Sequence, residues 1–265
     1  APDVQEFLVL PLKAESFLDA VRASVSVHER VGLLLPKKDA NFTGGRTDEG
    51  AWCPNLSTED ALEIVSEACE QVSGELGVEC RVGLDMAAST IWNSKVKHYA
   101  YARDGVERDP REQLDLVSDL IKVYDLVYVE DPLHEGDFEG FAELTGRSKG
   151  CLICGDDLFT TSKARLSRGV KTGAANSVIV KVNQVGTLSD AWETVKVAKS
   201  AGYVPIVSHR SGETTDAHIA HLAVAFHCPI IKAGVIGGER TAKLNELIRI
   251  EETLGDRARM ATIPL

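Results

Sequence analysis

The stretch Leu126-Val127-Tyr128-Val129-Glu130 decides the fold, because it is a short apolar run that ends in a carboxylate. A continuous apolar run of this length predicts a strand whose two faces are both covered. Further runs of the same type recur along the chain, and together they predict seven strands. The seven runs are residues 4–10, 81–85, 126–130, 151–154, 177–181, 204–209 and 229–232.

The segments between these runs have helical spacing instead. After the capping signal Ser57-Thr58-Glu59-Asp60, apolar residues recur at helical intervals through Val72, and residues 117–124 and 191–198 show the same pattern. Repeated strand and helix units predict a parallel sheet, which forms either a TIM-type barrel or a doubly wound sheet. No Gly-rich dinucleotide fingerprint follows the first run. The sequence therefore predicts an α/β fold.

Charged or polar side chains follow nearly every predicted strand, and this favours the barrel, whose catalytic groups lie where the strands end. Eight strands close such a barrel, so we expect one more strand upstream of Ala1 and regard the chain as a fragment. Residues 97–102 around Asp104-Gly105 predict a hairpin in the loop after Asp85. The strand-end side chains are Asp85, Glu130, Asp156, Lys181, His209 and Lys232.

Composition excludes several classes of function. The 29 Lys and Arg residues against 40 Asp and Glu residues give a net charge of −11 with no basic block, which argues against binding to nucleic acid. No apolar run approaches the roughly 20 residues of a membrane span, and the first residues lack the features of a signal peptide. The six cysteines are few and irregularly spaced, as expected of a cytoplasmic protein, and we expect Cys151 and Cys154 to be packed core thiols.

Three carboxylates, Asp85, Glu130 and Asp156, each close a separate predicted strand. Hard oxygen ligands at one barrel mouth predict a magnesium site with open positions for substrate. The alternative is that each acid caps the loop or helix after its strand, and for a single acid that alternative is the stronger one. Three acids at successive strand ends favour the metal.

Lys181 and Lys232 end apolar runs, where an ammonium is costly to bury without anions or a function. Their alternative is to extend toward solvent. A lysine near a metal and a second ammonium has its neutral form favoured, as a base that removes a proton α to a carboxylate requires. Magnesium on both carboxylate oxygens then spreads the charge of the enediolate. The three acids and two lysines together therefore predict metal-assisted removal of a proton α to a carboxylate.

Two loops offer further candidates. Arg210 and Ser211 follow a predicted strand directly and suit a phosphate or carboxylate oxygen. Glu49 lies in the Gly-rich segment 44–50, where composition favours a surface loop over a catalytic acid. His218 and His221 lie three apart on a predicted helix, but no third ligand is near them in the sequence, so we interpret them as ordinary helix-face histidines.

These residues occur in segments whose order resembles the C-terminal barrel of the enolase family, over almost the whole chain. The resemblance implies a barrel of the enolase kind, ββαα(βα)6, here without its first strand and without the N-terminal capping domain, so that residues 1–265 form the catalytic barrel. The segments are Gln5-Glu6-Phe7, Asp48-Glu49-Gly50, Gly83-Leu84-Asp85, Val129-Glu130-Asp131-Pro132, Gly155-Asp156-Asp157-Leu158, residues 181–187, residues 208–214, Ile231-Lys232-Ala233-Gly234 and residues 239–245.

The resemblance also implies the reaction, which is the magnesium-dependent reversible dehydration of 2-phosphoglycerate to phosphoenolpyruvate in glycolysis and gluconeogenesis. A lysine base with magnesium is a known pattern of this superfamily. By resemblance the base is Lys181, the acid that assists departure of the 3-hydroxyl is Glu49, and Glu6 supports that acid. The remaining matches are the magnesium ligands Asp85, Glu130 and Asp156, the phosphate-binding Arg210 and Ser211, the carboxylate-binding Lys232, and the substrate-pocket residues Gln5 and His209.

The chain also departs from the family pattern. The loop after Glu49 reads Ala51-Trp52-Cys53, where the family has a second Gly, another apolar residue and Ala, so the closure of the acid is expected to differ. By resemblance the intact protein is a cytoplasmic homo-oligomer, and some family members also occur at cell surfaces or are secreted.

Two other functions compete with this interpretation. A different proton-abstracting member of the superfamily, such as a cycloisomerase, is disfavoured because its strand end usually reads Lys-x-Lys, whereas this chain reads Val180-Lys181-Val182. A non-catalytic barrel that acts as a binding or scaffold protein is the second alternative. Loss of magnesium affinity with retained partner binding would favour it.

Overall fold

The computed structural model describes residues 2–265, which form an α/β fold. In this part of the chain, seven strands hydrogen-bond in the order β1-β2-β6-β7-β8-β9-β10, and three short strands form a second sheet in the order β3-β4-β5. The strands are β1 (Glu6–Leu12), β2 (Glu79–Asp85), β3 (Trp92–Asn93), β4 (His98–Tyr101), β5 (Val106–Arg108), β6 (Tyr128–Glu130), β7 (Leu152–Gly155), β8 (Ser177–Val180), β9 (Val204–Ser208) and β10 (Ile230–Lys232).

All seven predicted strands are confirmed, with small shifts at their ends. Helices connect them, as predicted from the spacing of the apolar residues, and short 3₁₀ turns follow α1, β2 and α9. The helices of residues 2–265 are α1 (Phe17–Leu34), α2 (Thr58–Leu76), α3 (Pro110–Val123), α4 (Phe138–Arg147), α5 (Lys163–Thr172), α6 (Val182–Val185), α7 (Leu188–Ser200), α8 (His218–Ala225) and α9 (Gly238–Leu254).

Helix α2 shows how local sequence sets these boundaries. The side chain of Ser57 accepts a hydrogen bond from the backbone N–H of Asp60 at 3.1 Å and so caps the first turn. Gly77 ends the helix in the left-handed conformation, with φ at +69°. Leu62 and Val72 are fully buried, as their helical spacing predicts.

The register of the parallel strands places the strand-end acids at matching levels. Asp85 of β2 lies opposite Glu130 of β6, and Glu130 lies opposite Cys154 of β7, two residues before Asp156. The predicted parallel sheet is confirmed for β2, β6, β7 and β8. Strand register therefore brings the backbones of Asp85 and Glu130 to the same level at adjacent strand ends.

The prediction that every strand is covered on both faces is correct for some strands only. Strands β6, β7, β8 and β9 are buried along their whole length. Strands β1 and β10 are mostly half-buried, and they stand at the two ends of the strand order in residues 2–265. A strand at the end of an order has one strand neighbour fewer to cover it, which accounts for the difference.

The predicted hairpin around Asp104-Gly105 is confirmed as β4 and β5, with Gly105 at a φ of +66° in the turn. The structure adds β3, which pairs with β4 through Trp92 opposite Tyr99. Their ring centroids lie 4.7 Å apart. Strand β3 has only two residues, too few to show a strand pattern in the sequence. Its antiparallel pairing with β4 defines it, and the aromatic contact adds to that pairing.

The chain divides into two compact units. The first, mainly residues 9–81 and 207–264, contains α1, α2, α8, β10 and α9, with α1 packed against both α2 and α9. The second, mainly residues 2–8 and 82–206, contains β6 to β8 and α3 to α7 around a core that includes Val129, Ile153 and Phe159. Each unit carries its own group of candidate site residues.

The two closely spaced cysteines are core residues, as predicted. Cys151 and Cys154 are buried as free thiols, and burial raises the pKa of Cys151 to about 12 and that of Cys154 well above its usual range. Thiols with raised pKa are poor nucleophiles and poor metal ligands near neutral pH. Among residues 2–265, no helix is both long and apolar enough to cross a membrane.

Candidate active site

An acidic cluster lies at the carboxyl ends of three adjacent parallel strands in the second unit. Asp85 and Glu130 are the last residues of β2 and β6, and Asp156 directly follows β7. Asp85, Glu130 and Asp156 are only 5%, 0% and 9% exposed, respectively. Several carboxylates buried side by side are costly unless a cation compensates them. The donor set is entirely carboxylate oxygen, which fits a hard divalent cation such as magnesium.

Two further acids, Asp131 and Asp157, join this cluster. The carboxylate oxygens of Asp131, Asp156 and Asp157 lie within 4.8 Å of one another and could hold a metal ion, and of the three predicted ligands this group of residues 2–265 contains Asp156 alone. Burial, followed by the charges of Glu130 and Asp85, raises the pKa of Asp131 well above its usual range. Burial and then Asp156 raise the pKa of Asp157. Mutual repulsion of this kind is what a divalent cation relieves.

Asp131 also holds the loop that carries Asp156. Its Oδ1 accepts the backbone N–H of Asp156 at 3.1 Å, and its Oδ2 accepts the N–H of Asp157 at 2.7 Å. A third N–H, from Leu158, points at Oδ1 from 3.5 Å. Both oxygens of Asp131 are therefore engaged with backbone, and the side chain fixes the position of Asp156.

Lys181 directly follows β8 and pairs with this cluster. Its ammonium contacts Oδ2 of Asp156, while Gln184 Nε2 donates to Asp156 Oδ1 at 2.9 Å. Thr161 Oγ1 accepts the backbone N–H of Lys181 at 2.9 Å and donates to Gln184 Oε1 at 2.5 Å. The Lys181 side chain is 14% exposed, so it does not extend toward solvent. The network places an amine beside a candidate metal ligand.

A second group of site residues lies in the first unit. His209 directly follows β9 and is 4% exposed, and its Nε2 lies 3.2 Å from Oε2 of Glu49. The hydrogen bond from His209 lowers the pKa of Glu49 to about 2, with the charges of Arg240 and Lys232 acting in the same direction. The Glu49 side chain is 21% exposed. Residues 43–48 are exposed, as composition predicts for a surface loop, whereas Glu49 is half-buried against His209.

Two glycines allow the Glu49 loop to approach its neighbours. Gly50 has a φ of +80°, and a Cβ there would lie 2.7 Å from the backbone oxygen of Ile236. A Cβ on Gly234 would lie 2.7 Å from the backbone oxygen of Glu49. Contacts this close exclude a side chain at either position. The loop at Glu49 and the segment after β10 are thus packed backbone to backbone.

Trp52, the bulky departure from the family pattern, anchors this loop to α1. Its Nε1 donates to the backbone oxygen of His28 at 2.8 Å, and the two rings stack with centroids 4.8 Å apart. His28 Nε2 in turn lies 2.9 Å from the backbone oxygen of Gly50. The large side chain is therefore accommodated, with Gly32 of α1 beneath its ring.

The remaining predicted residues lie at strand ends or beside them. Arg210 and Ser211 are exposed after β9, and Lys232 is half-buried as the last residue of β10. Gln5 is exposed immediately before β1, and Glu6 is the half-buried first residue of that strand.

His218 and His221 pair with different carboxylates. His218 Nδ1 lies 2.6 Å from Oδ1 of Asp216, and His221 Nε2 lies 3.1 Å from Oε1 of Glu246. Both histidines are largely exposed on α8. Separate partners at the surface are typical of ordinary helix-face histidines.

Comparison with known proteins settles the family. A family model described as "Enolase, C-terminal TIM barrel domain" matches residues 1–264. The chain belongs to the enolase family. It is 56% identical over all 265 residues to the enolase of Methanothermobacter thermautotrophicus, 56% identical over 96% of its length to that of Methanosphaera stadtmanae, and 53% identical over 99% to that of Pyrobaculum aerophilum.

The enolase chain described here spans less than two thirds of the length of these relatives. It covers 64%, 62% and 62% of the three enolases, respectively. The family model establishes the TIM barrel fold that the strand pattern predicts. Several residues of this enolase barrel contact the candidate site residues although sequence reasoning gave them no role, namely Asp131, Asp157, Thr161, Gln184 and Arg240.

The lowered pKa of Glu49 predicts how this enolase barrel responds to acid. Since the pKa falls from 4.5 to about 2, the carboxylate contributes stability above pH 4.5 that is lost as the pH falls through about 2. We expect a carboxyl carbon titration by NMR to give a midpoint near 2 for Glu49, and a midpoint closer to 4.5 in His209→Ala. A wild-type midpoint at or above 4.5 would contradict the His209 contact.

Proposed function

We propose that this chain is the catalytic barrel of an enolase, which reversibly dehydrates 2-phosphoglycerate to phosphoenolpyruvate with magnesium as cofactor. The observation that carries the proposal is the pairing of the Lys181 ammonium with Asp156 within a row of buried strand-end carboxylates. The relatives named enolase, at 53–56% identity, support the same reaction.

The proposed magnesium ligands are Asp85, Glu130 and Asp156. All three are buried acids at the ends of adjacent strands, and Asp131 holds the backbone at Asp156. When bound, magnesium would stabilise the negative charge that develops on the substrate carboxylate as the α proton leaves. The protein supplies the fixed donor positions, because strand register and the Asp131 contacts set them in advance.

Lys181 is the proposed base that takes the proton from the α carbon onto its Nζ. A base must first be neutral, and a cation held beside an ammonium favours the neutral amine. Lys181 touches a proposed metal ligand, so any cation at that ligand acts on it directly. The backbone of Lys181 is fixed by Thr161, which limits the positions that the amine can reach.

Glu49 is the proposed acid that protonates the departing 3-hydroxyl, and Glu6 supports it. With a pKa of about 2, Glu49 is an ionised carboxylate before substrate binds. A phosphate or carboxylate brought near it favours the protonated form, since like charges repel. In the reverse direction the ionised carboxylate has the form needed to accept a proton from the attacking water.

The proposed anion-binding residues are Arg210 and Ser211 for the phosphate and Lys232 for the substrate carboxylate. An exposed guanidinium beside a hydroxyl suits phosphate oxygens, since arginine presents several donors in one plane. Gln5 and His209 are proposed as further substrate-binding residues. We further propose that the intact enzyme is a cytoplasmic homo-oligomer with an N-terminal capping domain. The greater length of its relatives supports the further domain.

The direct test is formation of phosphoenolpyruvate from 2-phosphoglycerate, followed by ultraviolet absorbance. The full-length protein and residues 1–265 alone are assayed with magnesium and after chelation. We expect activity in the full-length protein that rises with magnesium and disappears with the chelator. A folded full-length protein that forms no product overturns the proposal and favours a scaffold role.

A further inference from the structure

Helix α9 carries two buried cations, Arg240 and Lys243, which are 1% and 0% exposed. Residues three apart lie on one face of a helix, so both side chains point to the same neighbourhood. Lys243 Nζ lies 2.7 Å from Oε2 of Glu213 and also donates to the backbone oxygen of Thr214. A buried charge persists only where partners compensate it. The helix thus holds the loop that follows β9.

Arg240 connects this loop to the loop that carries Glu49. Its Nη2 donates to the backbone oxygen of Ser211 at 2.6 Å and to that of Asp48 at 3.3 Å. Its Nη1 also contacts the backbone oxygen of Arg210. One guanidinium therefore binds carbonyl groups in both the loop that carries Glu49 and the loop that follows His209.

The same guanidinium also contacts the ring of His209. Arg240 Nη1 lies 2.9 Å from His209 Nδ1, and the backbone N–H of Gly234 points at the same nitrogen from 3.4 Å. A guanidinium and a backbone N–H can only donate, so Nδ1 must accept. The ring proton then sits on Nε2, which faces the Glu49 carboxylate at 3.2 Å.

We propose that Arg240 is a positioning residue that holds His209 as its Nε2–H tautomer, so that the ring donates a hydrogen bond to Glu49. In the other tautomer the lone pair of Nε2 would face the carboxylate, and the two would repel. The part of this inference that concerns catalysis rests on the proposed function, because it is there that Glu49 acts on the substrate. The tautomer itself does not depend on the reaction.

The tautomer is measured in the intact protein labelled with ¹⁵N-histidine, from long-range proton–nitrogen correlations near neutral pH. Loss of signals in His209→Asn assigns the ring. We expect wild-type His209 to be protonated on Nε2 alone, and Arg240→Met to shift both nitrogens toward an averaged mixture of tautomers. Turnover of 2-phosphoglycerate should fall by about 10²-fold or more in Arg240→Met, within the range for acid–base groups.

Arg249→Met is the matched control, because Arg249 lies on the same helix but is exposed and pairs with Glu246. It should leave both the tautomer and turnover unchanged. Protonation of wild-type His209 on Nδ1 overturns the proposal and needs no variant, and an unchanged tautomer in folded Arg240→Met overturns the role of Arg240. An Nε2–H ring in a folded protein that forms no product would overturn the proposed function only.

Discussion

Lys181→Ala in the full-length protein is expected to lower the turnover of 2-phosphoglycerate by about 10²–10⁴-fold, the usual contribution of a positioned acid or base. Alanine removes the amine that is proposed to take the α proton. It also removes the cation that contacts Asp156. Because the acidic cluster then loses a positive charge, magnesium binding should be retained or become tighter. Loss of turnover with retained metal affinity distinguishes a missing base from a damaged fold.

The controls for this prediction separate charge from proton transfer. Lys181→Arg keeps a cation beside Asp156, but a guanidinium does not lose its proton near neutral pH, so this variant should be as inactive as the alanine variant. Lys163→Ala removes an exposed lysine that pairs with Glu193, and should leave turnover unchanged. Full activity in folded Lys181→Arg would show that Lys181 supplies charge and that another group is the base.

The sheet and the main candidate residues could be predicted from the sequence, because both depend on local patterns. An apolar run such as residues 126–130 defines a strand, and the first charged residue after it marks the strand end. Parallel pairing then sets neighbouring ends side by side, as Asp85 and Glu130 show. No long-range information is needed for these steps, which is why all seven strands were predictable.

Contacts between distant segments could not be predicted in this way. Arg240 meets His209 across 31 residues of sequence, and nothing local in α9 indicates that its cations are buried. Asp131 appears in the sequence as one more acid, whereas its position next to three backbone N–H groups makes it the support for Asp156. The contact between Trp52 and His28, which anchors the Glu49 loop, was likewise not predictable from local sequence.

Glu130→Gln is expected to weaken magnesium binding by more than the roughly 10–100-fold that loss of an outer hydrogen-bond partner costs a metal site. Glu130 is fully buried, and its Oε2 accepts the hydroxyl of Tyr128 at 2.6 Å, a contact that glutamine can keep through its own oxygen. The change therefore removes charge with little change in shape. At a magnesium concentration 100 times the wild-type Kd, binding stabilises the wild type by about 2.7 kcal/mol, but a variant with a 100-fold weaker Kd by only about 0.4 kcal/mol.

Without magnesium the same substitution should act in the opposite direction. After burial, the charge of Glu130 is the largest cause of the raised pKa of Asp131, so neutralising Glu130 relieves repulsion within the cluster. Denaturant unfolding with chelator should show Glu130→Gln to be at least as stable as the wild type, while Glu139→Gln, an exposed acid of α4, should match the wild type in both conditions. If Glu130→Gln kept the full magnesium-dependent stabilisation, Glu130 would not be a ligand, and Asp131 or Asp157 would take its place in the metal site. A substitution that lowers the free energy of unfolding with magnesium, but not with chelator, is what we expect when a buried carboxylate binds the cation.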